Sequence, residues 1–339
     1  MLCGIPAQPR RKSSNERTGA GSTFTLNASG EAWSPPRKMI RNSMEPTGTA
    51  AAEAGRPALY LALTKPDVSF LVVMTTVAGY ALGTQGPLDW MRMAHAVFGT
   101  TLIAAGTSAL NHYIERGTDA LMRRTASRPL PSGQLNPRDA FWFGLGLIAV
   151  GVLYLALATN AFATLLGILT SVTYLCVYTP LKRRTTLATM VGAFPGAVPP
   201  LIGWVAARGT ITLDAWILFA VLFLWQFPHF DSIAWMYRED YARAGMQMVS
   251  VGDRKGKRTF REILLTAALL VPVSLLPAVT GLAGARYFFG ALVLGIMLVE
   301  VCLWAAAAKS NVRAKWLMHA TVIHLPVLLG LLIYDKFAR

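Results

Sequence analysis

Nine stretches of this chain are apolar for long enough to cross a bilayer: about 68–84, 93–113, 139–158, 161–179, 187–206, 213–235, 262–281, 286–308 and 317–334. The requirement is roughly 20 residues, because a helix rises about 1.5 Å per residue through some 30 Å of hydrocarbon. No other feature limits the fold so severely. Where water cannot satisfy a peptide group, only self-bonded helices and closed barrels are viable. Runs of this length read as helices, so an all-α polytopic membrane protein with nine transmembrane helices is expected. Composition agrees: 54% of the 339 residues are hydrophobic and only 14% are charged, too few to wet the surface of a soluble domain of this size. The net charge of +15 does not indicate nucleic acid as a partner. The basic residues fall between apolar runs instead of lining one soluble face.

Charge placement orients the spans. The loops between spans 2 and 3, 4 and 5, 6 and 7, and 8 and 9 hold five, three, seven and three Lys or Arg. The remaining loops and the C-terminus hold only Arg92, Arg208, Arg286, Lys336 and Arg339. The positive-inside rule then places the basic loops and the N-terminus in the cytoplasm. Residues 1–58, rich in Arg, Ser, Gly, Pro and Ala without apolar periodicity, read as a disordered basic cytoplasmic tail ahead of a helical domain at 59–339. Glu16, Glu31, Glu45 and Glu53 argue against a mitochondrial transit peptide, and no apolar core of a signal peptide follows the early basic residues. A bacterial inner membrane is the expected location. Cys3, Cys176 and Cys302 are too scattered for a disulfide framework or a metal site. Thr159-Asn160 is all that joins spans 3 and 4, so these form a tight helical hairpin. Span 5 carries Pro195, Pro199 and Pro200, and a broken helix at that depth needs protein or a cavity to satisfy its backbone.

The second span ends in unusual chemistry. Asn111, Glu115 and Asp119 recur every fourth residue and drift by only about 40° per step, so they share one helical face. An amide oxygen and two carboxylates suit a hard cation such as Mg2+, which takes one or two carboxylates and completes its shell with water and substrate phosphate. Spacing alone leaves a second reading open, an ordinary helix end whose acids pair with Arg116, Arg123 or Arg124. Arg116, Arg123, Arg124, Arg128 and Arg138 share that loop, and Lys182, Arg183 and Arg184 occupy the next basic one. The first loop uses arginine alone, which favours bidentate phosphate contacts over a mere topogenic signal. Carboxylates for a metal, ringed by guanidinium groups, describe a diphosphate site.

A second polar cluster follows span 6. His229 and Asp240 lie eleven residues apart, an offset of about 20° if the helix continues between them. Gln226 and Ser232 flank that face, Pro228 is expected to kink the helix, and Asp231 points elsewhere. Ionisable groups inside a span are functional candidates by default. Glu300, deep in span 8, is expected to be a protonated core residue; His95 and His319, near span ends, are expected to have ordinary structural roles.

The combination "NHYIERGTDALMRRTASRPLPSG", "YTPLKRRTT" and "WQFPHFDSIAWMYREDYARAG" resembles the UbiA superfamily of intramembrane prenyltransferases, and within it the branch that farnesylates protoheme IX. "LTKPDVSFLVVMTTVAGY" and "IHLPVLLGLL" extend the likeness over about residues 59–334. The resemblance implies a nine-helix bundle around a central cavity, with two polar motifs facing each other at the cytoplasmic end. It implies farnesyl diphosphate and heme B as substrates, Mg2+ as cofactor, and heme A synthase or oxidase assembly proteins as downstream partners in the same bilayer.

By that resemblance the metal ligands are Asn111, Glu115, Asp119 and Asp240, and the catalytic set adds His229. Arg116, Arg124, Arg128, Lys182, Arg183, Gln226 and His324 bind substrate, with Phe230, Trp225, Tyr113 and Tyr178 as π faces for an allylic cation. Gly117 and Asp67 depart from the branch, which commonly has an acid and a base there. On the residues alone, three alternatives stay open. One is transfer to a quinone precursor or other aromatic, one is organic-anion transport, and one is non-catalytic heme handling. A transporter predicts an inverted repeat, and none is visible.

Overall fold

The computed structural model describes residues 55–339. The basic segment read as a tail lies, through residue 54, outside the described residues; a short helix, α1 (Arg56–Leu63), already begins at its end. The chain continues through α2 (Pro66–Gly83), α3 (Trp90–Asp119), α4 (Pro137–Ala158) and α5 (Ala161–Val172). A π-helical turn (Thr173–Tyr178) and α6 (Thr179–Leu181) extend α5 into one span, and α7 (Ala188–Ala197) and α8 (Pro199–Arg208) are the halves of the next. Then come α9 (Leu213–Met236), the short α10 (Arg238–Arg243) and α11 (Val249–Gly252), and the long α12 (Lys257–Val279), α13 (Ala285–Ala308) and α14 (Asn311–Phe337). Among the described residues nine helices are long and apolar enough to cross a membrane, matching the nine stretches in the sequence.

Helix ends coincide with local chemistry. Asp89, Asn136, Asn160 and Ser310 cap α3, α4, α5 and α14 by accepting a first-turn amide. Asn160 Oδ1 accepts from Ala163 N at 2.8 Å, and its Nδ2 donates to Val205 O at 2.9 Å. That second bond pins the two-residue joint of the hairpin to α8. Gly209, at φ 80°, ends α8 in the left-handed region that favours glycine.

Two glycines set the packing of α2 on α8. A Cβ at Gly79 would overlap the Pro200 backbone, and one at Gly203 would lie 2.7 Å from Tyr80 N. The helix backbones are thus in direct contact, as small residues allow between membrane helices. Lys336, near the end of α14, donates to the carbonyls of Ala81, Leu82 and Thr84 at 3.0, 2.7 and 2.8 Å. These carbonyls lie at the C-terminal end of α2, where helical partners run out, so the last span clasps the first.

The span is broken as expected: α7 and α8 meet at Val198, and within α7 the Ala193 carbonyl accepts from Gln226 Nε2 of α9 at 3.0 Å. α9, in contrast, runs through Pro228 without interruption. Glu300 corrects an expectation. The buried stripe of α13 is Tyr287, Ala291, Gly295, Leu298, Cys302 and Ala305. Position 300 lies about 200° round the helix from Leu298, and Glu300 is exposed outside the core.

Candidate functional site

The basic loops between spans gather at one end of the bundle. Asn111, Glu115 and Asp119 all lie on α3, which stays helical through Asp119. Each presents an oxygen to a different cation. Lys65 Nζ donates to Asn111 Oδ1, Lys182 Nζ to Glu115 Oε1 and Arg128 Nη1 to Asp119 Oδ2, each at 2.8 Å. Asn111 is oriented by its other end, since its Nδ2 donates to Thr179 Oγ1 at 3.2 Å, and that hydroxyl donates to Tyr174 O at 2.8 Å. Asn111 and Asp119 are buried, and Glu115 and Lys182 keep only 10% of their side-chain surface exposed.

Packing that brings distant segments together holds the cations. Lys182 O accepts from Gln247 N at 2.7 Å, and Tyr178 lies 4.4 Å from the ammonium. Burial works against the charge of Lys182, but Tyr178, Glu115 and Tyr174 outweigh it and hold the pKa above its ordinary value. Lys65 experiences the opposite balance. Burial, then the fields of Lys182 and Arg128, outweigh Glu115 and Asp119 and pull it down to about 7. Its backbone is left-handed (φ 49°, ψ 72°) between Thr64 and Pro66. Lys65 was not singled out from sequence. The available signal was an ionisable residue at the very edge of the first span, in an apolar context.

The second polar cluster is arranged differently from the expectation. The helix does not continue from His229 to Asp240: it breaks at Tyr237 (φ −107°, ψ 21°) and restarts as α10. Asp240 is turned onto the loop after α3, where it accepts from Arg124 N at 3.1 Å and pairs with Arg243. Arg124 caps this junction with its guanidinium 4.8 Å from the Tyr237 ring. Met122 packs there against Ala244, Met246 and Met248. The two motifs do meet, but Asp240 fastens them. Among the described residues no three His, Cys, Asp or Glu side chains come together as a metal group, and Asp240 is held here by Arg124 N and Arg243.

The other expected residues divide by position. Arg116 folds back on its own helix, donating to Tyr113 O with its guanidinium 4.4 Å from the Tyr113 ring. Arg183 is exposed beside Lys182, and Gln226 is committed to the carbonyls of Ala193 and Leu222. Of the four proposed π faces, Tyr178 lies at the cation cluster and Tyr174 joins it, whereas Tyr113 packs on Phe141 and Phe230 is exposed. Asp231 is buried with Oδ2 unpartnered. His112, beside Asn111, is also buried with neither ring nitrogen bonded. Cys176 is exposed and Cys302 buried, both free.

His229 stacks on Trp225 at 5.0 Å and bonds through Nδ1 to Thr321 Oγ1 at 2.9 Å. Thr321 spends its own hydroxyl proton on Met318 O at 2.6 Å. It must therefore accept from His229 Nδ1–H, which leaves a lone pair on Nε2. His324, one turn further along α14, is buried with Nδ1 unpartnered beside a groove of ≈ 230 Å³ that Leu294, Met297 and Val301 of α13 share. It belongs to the His229 side, away from the Asn111 cluster. A separate, mainly apolar cavity of ≈ 110 Å³ lies one turn along α3 from Asn111, lined by Val72, Ile103, Thr107, Ser108, Tyr174 and Pro199. It has the room and character for the start of an apolar chain whose polar head lies at the cations.

The oxygen-only set of Asn111, Glu115 and Asp119 fits a hard divalent cation, since each oxygen already draws a positive group to contact distance. The UbiA prenyltransferase family profile matches residues 72–324. The protoheme IX farnesyltransferase of Solibacter usitatus is 46% identical over 286 residues, covering 82% of this chain and 98% of that protein. The enzyme of the same name from Koribacter versatilis is 44% identical, covering 82% and 93%. The solved structure of a digeranylgeranylglyceryl phosphate synthase superposes with a TM-score of 0.69 at 17% identity, over 83% of this chain and 98% of that one. A UbiA homologue from Archaeoglobus fulgidus, bound to GPP and Mg2+, gives 0.58 at 13% identity, covering 81% and 99%. The described residues share the fold of these structures, and this chain belongs to the UbiA prenyltransferase family.

Proposed function

We propose that this prenyltransferase moves a farnesyl group from farnesyl diphosphate to a vinyl group of protoheme IX, giving heme O. The observation that carries the diphosphate half is the row of Asn111, Glu115 and Asp119, with Lys65, Lys182 and Arg128 facing it at 2.8 Å. The shared name of relatives up to 46% identical over nearly their whole length supports the heme half. Asn111, Glu115 and Asp119 would hold Mg2+, whose bound charge stabilises a departing diphosphate.

The chain's own residues account for the remaining steps. Lys182, Lys65 and Arg128 bind the diphosphate oxygens and stabilise the charge that accumulates there as the allylic C–O bond breaks, more strongly in the transition state than before it. The farnesyl chain enters the apolar cavity below, where Tyr174 lines the wall and water is scarce. The heme vinyl carbon forms the new C–C bond, and water captures the resulting cation as a hydroxyl. His229 presents the Nε2 lone pair, fixed by Thr321, as a base for that water or a ligand for the heme iron. His324 contacts the same substrate.

The basic loops support a cytoplasmic site and N-terminus in a bacterial inner membrane, with residues 1–58 as a tail and heme A synthase or an oxidase assembly protein as recipient. The test is incubation of purified protein with heme B, farnesyl diphosphate and Mg2+, with products identified by mass. A farnesylated, hydrated heme that vanishes in Asp119→Asn is expected. Turnover with an aromatic acid and none with heme would overturn the heme assignment.

A further inference from the structure

The three oxygens of the α3 row have one cationic partner each, and the Lys65 pair differs from the other two. Lys182 and Arg128 neutralise carboxylates; Lys65 faces the neutral amide oxygen of Asn111. The cluster therefore carries one more positive charge than negative when Lys65 is protonated. A divalent cation arriving alone would enlarge that excess and would find Asn111 Oδ1 already bound. A fully ionised prenyl diphosphate carries one more negative charge than a divalent cation carries positive, so the two together cancel the excess.

The geometry around Lys65 is built for this contact. Asn111 cannot turn its oxygen elsewhere without losing its Nδ2 bond to Thr179. Lys65 is one of only two non-glycine residues with positive φ among the described residues. The proline that follows restricts it further. A side chain kept at such a position requires the surrounding structure to hold it there, and residues of this kind gather at functional sites.

We propose that Lys65 makes entry of the divalent cation and of the diphosphate conditional on each other. It holds the amide oxygen of Asn111 until a diphosphate draws the ammonium away, and only then is that oxygen available to the metal. This inference rests on the reading of the cluster as a metal–diphosphate site. Lys65 is in these terms a positioning residue as well as a diphosphate contact.

Equilibrium dialysis of the detergent-solubilised full chain against Mn2+ and labelled inorganic diphosphate, each alone and then together, tests it. The Mn2+–diphosphate complex in solution is equal on both sides and is subtracted. In the wild type each ligand is expected to tighten the other by about tenfold or more, reciprocally, as linkage requires. In Lys65→Met, Mn2+ alone should bind tighter, diphosphate alone should bind weaker, and the mutual enhancement should largely disappear; Lys65→Arg should retain it. Wild-type protein that binds both ligands independently overturns the proposal without any variant, and so does Lys65→Met with unchanged coupling. If the wild type retains neither ligand, the metal–diphosphate reading itself fails.

Discussion

Lys182→Met should destabilise the protein, and adding Glu115→Gln should restore most of the loss. The ammonium and carboxylate approach to 2.8 Å, each with about a tenth of its side-chain surface exposed. At an effective dielectric of about 20 their attraction is about 6 kcal/mol, and removing two ions from water takes most of that back. The net value of the intact pair is therefore small, whereas a single substitution strands a buried charge at a cost of about 3–5 kcal/mol. Lys65 lies close enough to share Glu115, so the lower figure is expected.

At roughly 2–4 °C per kcal/mol for a domain of a few hundred residues, Tm should fall by about 6–12 °C. Tryptophan fluorescence during heating in a mild detergent reads this directly, with the double variant predicted within a few degrees of wild type. Turnover should respond differently. Loss of one charge-stabilising group costs about 10²–10³ in rate, so the double variant should be stable and nearly inactive. A single variant as stable as wild type, or a double variant whose loss equals the sum of the singles, would refute the reasoning.

Other outcomes follow from single contacts. Gly203→Ala puts a methyl 2.7 Å from Tyr80 N and should cost about 1–3 kcal/mol by overpacking. Gly117→Ala has nothing within 4 Å of its new Cβ and should gain up to about 1 kcal/mol in helix propensity; melting temperatures of the pair distinguish them. Asp253 accepts from Lys257 N, Thr259 N and Thr259 Oγ1; burial opposes its charge, but the bonds from Thr259 and its neighbours hold its pKa below the ordinary value. Its contribution to stability is thus present above about pH 4 and is lost as pH falls through the lower folded value. Asp253→Ala should lower Tm at pH 7 by the equivalent of about 1–2 kcal/mol and flatten the acid limb of the stability profile. Thr321→Val removes the acceptor of His229 Nδ1 and should weaken heme use about fivefold, the worth of one hydrogen bond, with diphosphate retention unchanged.

Much of the molecule follows from patterns a few residues long. A run of some twenty apolar residues has one stable backbone in hydrocarbon, so all nine spans were legible, and so was the break at Pro195–Pro200. Asn111, Glu115 and Asp119 share a face by helical period alone, and the arginine-rich loop marks their surroundings as cationic, suited to an anionic group. Nothing local announces which cation meets which oxygen. Lys65 stands 46 residues from Asn111 and reaches it only because α2 packs beside α3. Asp240 meets Arg124 N on the loop after α3 because the chain turns at Tyr237, where a continuous helix would have kept it in line with His229. Glu300 lies outside because the stripe that α13 buries runs along its other side. Periodicity belongs to a single helix and can be counted along the chain. The partner of a charge is settled by how helix ends come together in space, where a shift of one turn exchanges one neighbour for another.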